Sequence, residues 1–569
     1  MKGKWLHAVL ALTLASSLAG CSSSSSAAAA ASAAASSSAA ASSSASSISK
    51  DSVTVAVGSQ FTTLDPAMNT EAVNSYVLDH IYAGLFRKDS SGVAQPKLAD
   101  SYEVSEDGFT HTIHLKEGIT WSDGTPITAG DFVYSYLRAL SYGADNAWSI
   151  YSMTQFIAGA SEYNQAALAA GDTFDCTAED HSYVGIEGPD DQTLVLTLRI
   201  PCTYMTTLLT SGGAFTAVPQ GTPQHDSLWS MTPGYATSGP YTLTEFNEND
   251  KAVLAKSDSY CNAYAITMPN LIFQVMPDQD AQSVAFQTGE VDIASSVTID
   301  TAQSYDGTDQ LWVIDSPSNY FLAINSGETG PDWAKDVNVR KALAEAIDKT
   351  SLADVLGGES FYPPMYGYVP KGFAGNHGDY REEGDQAAED AGNMISYDPE
   401  DAMALLAAAG YDESNPLHIT YKYSNSGIGA DVAAVLQQMW TAIGVEVDFE
   451  AVESGVYYDL LDAGDFEIAR YGLNASDSPI EFLDIWTSGM QITAAVDDPT
   501  YDQRVENAKE ITDPSEFINA CHEAESYLYY ENVYVNPLFQ NISAYLVQEG
   551  LHGYEADGGS TFYGYCYYD

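Results

Sequence analysis

Pro96-Lys97-Leu98-Ala99-Asp100-Ser101-Tyr102-Glu103-Val104-Ser105-Glu106-Asp107-Gly108-Phe109-Thr110, continuing past His111 and Thr112 as Ile113-His114-Leu115-Lys116-Glu117-Gly118-Ile119-Thr120-Trp121-Ser122-Asp123-Gly124-Thr125-Pro126-Ile127-Thr128-Ala129-Gly130-Asp131-Phe132-Val133-Tyr134-Ser135, is the stretch that decides the fold. Thr110 to Leu115 alternates as a half-buried strand does, and Glu106-Asp107-Gly108 supplies the turn before it. Trp121 is a large apolar anchor, and Asp123-Gly124-Thr125-Pro126 has turn chemistry. Thr128 or Asp131 caps the predicted helix that carries Phe132, Tyr134 and Tyr136. Nothing in the stretch is a nucleophile held by a base. It is scaffold.

The same grammar runs outward in both directions. Val53 to Val57 and Thr193 to Leu198 alternate as half-buried strands, the second following an Asp190-Asp191 turn. Asp398 caps a helix opened by Pro399, with Met403, Leu405 and Leu406 as its buried stripe and Gly410 as its end. A further helix, about Asp431 to Ile443, stops at Gly444 and leads into the strand Val445 to Phe449. Helix-to-strand units of this kind build parallel or mixed sheets, so the expected class is α/β. A chain of 569 residues suffices for two or three packed domains. Neither an internal repeat nor a linker after residue 50 divides it.

The amino end is different. Lys2 and Lys4 precede an apolar run from Trp5 to Leu14 and small residues up to Cys21, the layout of an export signal too short to span a bilayer. Leu18-Ala19-Gly20-Cys21 resembles the bacterial lipobox, which implies cleavage before Cys21 and diacylation of its thiol. Several acyl chains on one residue give stable anchoring. Residues 22–47 are only Ser and Ala, a tether whose reach as flexible coil is on the order of 28 Å. Loss of the signal's two lysines leaves 19 basic residues against 78 acidic ones. Such a field repels nucleic acid and anionic lipid heads, and both partner classes drop out. Of Cys176, Cys202, Cys261, Cys521 and Cys566, the first two are a candidate disulfide pair in an exported protein. No spacing suits zinc, and neither metal nor cofactor is expected.

The quoted stretch is similar to the signature of the family 5 extracellular solute-binding proteins, the oligopeptide-binding group of ABC importers. Leu64-Asp65-Pro66, His80-Ile81-Tyr82-Ala83-Gly84-Leu85, Gly239-Pro240-Tyr241, Thr288-Gly289-Glu290-Val291-Asp292, Asn338-Val339-Arg340-Lys341-Ala342-Leu343 and Glu467-Ile468-Ala469-Arg470-Tyr471-Gly472 extend the resemblance in order over residues 51 to 569. It implies a type II periplasmic-binding-protein fold, two α/β lobes closing over a cleft, with an extra domain inserted in the first lobe. The implied first lobe is 51–86 with 217–316 and 537–569; the inserted domain is 87–216 and the second lobe 317–536.

The resemblance also implies a site. Relatives hold a peptide backbone along an extended segment and its amino terminus on an aspartate; the matching residues run from Arg470 through Gly472, Leu473, Asn474, Ser476 and Asp477 to Pro479. The chain is one residue short there. Counting forward from Arg470 puts Ser476 at the aspartate, and counting back from Pro479 leaves Asp477 nearest. We take Asp477 as the amine partner, against the plain alternative of an Asp-Ser-Pro turn. Cysteines that some members carry at Ser318 and Asn474 are both absent. Arg470 meets either a ligand carboxylate or an acid of the protein, the commoner role for arginine. Thr70 and Glu71, Trp148 and Tyr151, and Tyr320 match segments that approach the ligand from the first lobe, the inserted domain and the crossover.

No nucleophile elbow, zinc-protease motif, phosphate loop or dinucleotide fingerprint is present, so an exported hydrolase is the remote alternative. The nearer ones keep the fold and change the solute to an oligosaccharide or metal chelate, or make the protein a receptor for signalling peptides. The expected partners are a short peptide, the permease subunits and through them the ATPases, with the binding protein itself a monomer held by lipid on the extracytoplasmic face of the cell membrane, extracellular in a single-membrane bacterium and periplasmic otherwise.

Overall fold

The computed structural model describes residues 50–569 apart from 90–91, 143–148, 211–212, 225, 426, 476, 489, 491–494 and 558–559. The export signal, Cys21, the Ser/Ala tether, Trp148 and Ser476 thus lie outside the described residues. Strand β1 (Ser52–Val57) buries Val53, Val55 and Val57 in one apolar cluster and Ala56 in a second. It is therefore covered on both faces, not half-buried. Parallel neighbours impose this, since their crossover helices occupy both sides of a sheet.

After a short hairpin of β2 (Phe86–Lys88) and β3 (Ala94–Pro96) the signature builds its own sheet. Strands β4 (Ala99–Val104), β5 (Thr110–Leu115), β6 (Ile186–Asp190) and β7 (Thr193–Thr197) form four antiparallel strands in the order β4-β5-β7-β6. Helix α1 (Ala129–Leu140) carries a complete capping box, in which Thr128 and Asp131 each satisfy the other's backbone. Both candidates cap, one from each side. Phe132 and Tyr136 are fully buried beneath it, and Trp121 is 1% exposed.

The largest sheet has ten strands. These are β1 with β8 (Tyr241–Asn247), β9 (Lys251–Lys256), β10 (Asn270–Val275), β11 (Ile293–Ala294), β12 (Leu311–Ile324), β13 (His418–Ser424), β14 (Glu446–Val452), β15 (Ile468–Tyr471) and β16 (Val535–Val547). Their order is β14-β13-β15-β12-β16-β11-β1-β10-β9-β8. Five strands lie on one side of the pair β12–β16 and three on the other, which gives two α/β lobes joined through that pair. In the second lobe the alternation of β12 is visible in its burial. Phe321 and Ala323 enter one cluster, and Tyr320, Leu322 and Ile324 enter another on the opposite face.

Helix α2 (Pro399–Ala408) starts as its sequence dictates, with the Asp398 side chain accepting from the Asp401 N–H at 2.9 Å. Its buried stripe differs from expectation. Ala402 and Leu406 are buried while Met403 is 45% exposed. Positions 402 and 406 are four apart and share a face, whereas 403 lies about 100° round the helix from 402. Helix α3 (Gly429–Ala442) ends near Gly444, whose φ of 88° lets the chain reverse into β14, parallel to β13.

Strands β12 and β16 pair from Leu311↔Leu546 to Asp315↔Ile542, and again from Asn319↔Gln540 to Ala323↔Val535. Between the two runs Ser316, Pro317 and Ser318 face Asn541 alone. Pro317 has no N–H to give to a ladder, so the interruption is built into the sequence. All five described cysteines are free, so the candidate pair Cys176–Cys202 is not a disulfide. Cys176 and Cys202 are both buried, and burial raises the pKa of each thiol.

Candidate functional site

Past Tyr471, β15 continues as an extended segment beside the interrupted stretch of β12. The Asn319 N–H donates to the Leu473 carbonyl at 3.1 Å, the Ala475 N–H to the Pro317 carbonyl at 3.1 Å, and Ser318 faces Asn474 across an antiparallel bridge. The Leu473 N–H donates to Asn319 Oδ1. Backbone groups of successive extended residues point to alternate edges. Leu473 and Ala475 are thus spent on β12, and Gly472 and Asn474 turn theirs the other way. On that side β13 pairs with β15 at Ile468 and Ala469. Among the described residues nothing pairs with the backbone edge at 472–474, and Asn474 is exposed. Gly472 is required there: a Cβ would lie 2.8 Å from the Asn319 carbonyl oxygen.

The segment leads into helix α4 (Pro479–Asp484), which borders a cavity of about 720 Å³. One wall is Leu473, Asn474, Ala475, Asp477, Ile480, Glu481 and Asp484; the other is Tyr151, Phe156, Cys202, Thr203 and Tyr204, with Asn69 at the rim. Glu481 and Asp484 are three apart on the helix and share a face, and Asp477, just before the N-cap, lines the same cavity. Ser478 and Glu481 form a capping box, and Glu481 accepts from the Asp477 N–H at 3.2 Å. Burial, then the neighbouring charge of Asp477, pushes the Glu481 carboxyl up to about 8. Asp484 is held by Lys509, 2.5 Å away, and Lys88 lies 3.9 Å from Asp477. The cavity offers apolar and aromatic walls with a carboxylate pole.

The family-model description that matches, over residues 93–493, is that of the bacterial extracellular solute-binding proteins, family 5 (middle portion). The chain belongs to this family. It is 27% identical to the periplasmic oligopeptide-binding protein OppA of Escherichia coli over 503 residues, 87% of this chain and 88% of the relative. Among solved structures, the unliganded open form of the murein tripeptide-binding protein MppA superposes with a TM-score of 0.77 at 24% identity, covering 91% of this chain and 97% of that one. OppA of Listeria monocytogenes bound to peptide gives 0.64 at 21%, covering 91% and 99%. The architecture is the type II periplasmic-binding fold, and the family is one of binding proteins.

In this family 5 protein the expected site residues fall into two groups. Leu473, Asn474, Asp477 and Tyr151 line the cavity, with Tyr151 42% exposed. Gly472 adjoins them. Tyr320 lies apart, inside the second lobe, stacked on Phe539 at 4.7 Å. Arg470 lies over its ring at 4.8 Å and donates to the Tyr458 hydroxyl at 3.3 Å; among the described residues it has no carboxylate partner. Thr70 and Glu71 are exposed beside Asn69, the residue of that loop that reaches the cavity. Sequence reasoning missed Glu481, Asp484, Lys509, Lys88 and Tyr204. For Glu481 a signal existed, the capping-box spacing Ser478-x-x-Glu481. Lys88 and Tyr204 reach the site only through tertiary structure.

Proposed function

We propose that the protein captures short peptides between its two lobes and delivers them, chemically unchanged, to the permease of an ABC importer, while lipid on Cys21 holds it at the extracytoplasmic face of the cell membrane. The observation that carries this is the open backbone edge at Gly472 and Asn474, ending at a carboxylate pole. An extended peptide adds to such an edge by main-chain hydrogen bonds that are blind to its side chains. Its ammonium then meets Asp477, and the 720 Å³ cavity takes the first side chain against Phe156 and Tyr204. Arg470, which lies over Tyr320 and has no carboxylate partner among the described residues, receives an acidic group of the ligand in this reading. The lobes divide near 51–86, 217–316 and 537–569 for the first and 317–536 for the second, with 87–216 inserted in the first. The names of OppA from E. coli and from Listeria agree with a peptide solute.

Mass spectrometry of whatever copurifies with the denatured protein is the direct test, followed by calorimetry with a protein digest against a panel of oligosaccharides and metal chelates. Peptides in the first and heat from the digest are expected. A sugar or chelate bound in place of peptide defeats the solute assignment and leaves the family standing. No helix among the described residues is long and apolar enough to cross a membrane. Attachment is therefore tested separately, by radiolabelled palmitate incorporation into the full chain and its loss in Cys21→Ala.

A further inference from the structure

We infer that Lys88 holds the cation position at Asp477 while no ligand is bound, and that a ligand ammonium must displace it. Lys88 thereby sets how strongly the site takes amines. The inference rests on the reading that Asp477 receives the ligand's amino group. Lys88 ends β2, 389 positions before Asp477 in the chain, and its Nζ stands 3.9 Å from Asp477 Oδ1. The two side chains are 11% and 29% exposed. A lysine ordinarily carries its ammonium into water on a long apolar stem. Here the ammonium is instead held beside a carboxylate.

Other titratable and charged groups face this spot from both walls. From the same wall come Glu481, which accepts the Asp477 N–H, and Asp484, held by Lys509 from the helix Pro499–Lys509 at 2.5 Å. From the opposite wall come Cys202, Tyr204 and Tyr151, whose protonated forms are all favoured by burial. Burial keeps the Glu481 proton on at neutral pH, so it adds little negative charge there. A cation arriving at Asp477 meets Lys88 there. Two ammonium groups within roughly 4–6 Å of each other repel, which disfavours keeping both on one carboxylate. The ligand has the better geometry on offer: 3.9 Å is an ion pair without a direct hydrogen bond, whereas an ammonium seated on a carboxylate comes to about 2.8 Å. A ligand whose amine is capped has no charge to exchange and leaves Lys88 where it is.

The experiment compares the full chain with Lys88→Met, which keeps the stem and removes the charge, and Lys88→Arg, which keeps the charge. Each is mixed with random tripeptides and pentapeptides, free-amine or N-acetylated, and occupancy is read by native mass spectrometry. Lys88→Met is expected to bind the free-amine set about five- to tenfold more tightly than the parent, the scale of one half-buried ion pair, with the acetylated set moving less. Lys88→Arg is expected to bind no tighter than the parent. The inference is overturned if Lys88→Met binds free amines equally or more weakly, or if Lys88→Arg gains as much as Lys88→Met. A parent chain that fails to prefer free amines over acetylated peptides instead defeats the assignment of Asp477, so the two failures are told apart.

Discussion

Glu481 sits where a negative charge is costly, at the buried end of the cavity, with Asp477 beside it. Its folded-state pKa of about 8 lies above the ordinary 4.5, so between those values the folded chain binds more protons than the unfolded one. Stability then falls as pH rises through that window and levels off above it. Glu481→Gln removes the titration while keeping a side-chain acceptor for the capping box. In thermal melts the variant should match the parent near pH 5 and exceed it by about 1 to 3 °C at pH 8.5, the small shift typical of so long a chain. A difference that does not grow with pH would show that Glu481 is not protonated in the fold. This residue was half legible: its spacing from Ser478 announces the cap, but nothing along the chain says that the cap faces a cavity.

At the scale of elements, the extension of β15 decides what the site can hold, and two substitutions probe it. Ser318 and Asn474 face one another across the bridge, the approach that a disulfide needs. The double variant Ser318→Cys, Asn474→Cys should cross-link on mild oxidation, seen by peptide mapping under non-reducing conditions; persistence of both thiols would mean the segment does not lie along β12. Gly472→Ala forces a methyl to within 2.8 Å of the Asn319 carbonyl, so the two chains must part. The expected loss is about 1–3 kcal/mol in urea unfolding, with weaker binding of the peptide mixtures. Elements were the most readable level. The caps at Thr128 and Asp398 and the reversal at Gly444 follow from local rules that tertiary structure left alone. The misread stripe of α2 came from weighing Met403 by hydrophobicity when Ala402 held the inward angle. The two-faced burial of β1 was hidden because the residue between its valines, Ala56, is small enough to pass for an outward position.

For the molecule as a whole, the sheet order matters most. The chain crosses between lobes in β12 and returns in β16, and the ladder joining those strands lapses at Ser316-Pro317-Ser318 opposite Asn541. One backbone group freed by that lapse is taken by the site, the Pro317 carbonyl, which accepts from the Ala475 N–H; the Ser316 carbonyl accepts from the Gln540 side chain, and the Asn541 side chain donates to the Ser318 hydroxyl at 2.8 Å. A ligand added to the open edge at 472–474 therefore pulls on the segment that the crossover strands hold. No reading along the chain could reveal this, because residues 317, 475 and 541 come together only when the topology is known. The signature pointed to the fold by resemblance but is silent about the joint. If the lapse is the hinge, ligand both closes the lobes and stabilises them, since it binds the closed state by contacts the open one lacks. At a hundredfold excess over Kd, mass action adds about 2.7 kcal/mol to folding. Small-angle scattering of the full chain with the saturating peptide pool should show a smaller radius of gyration than without it, alongside a raised melting temperature. A higher melting point with an unchanged radius would mean that peptide binds a rigid cleft, and that the gap in the ladder is not where the molecule bends.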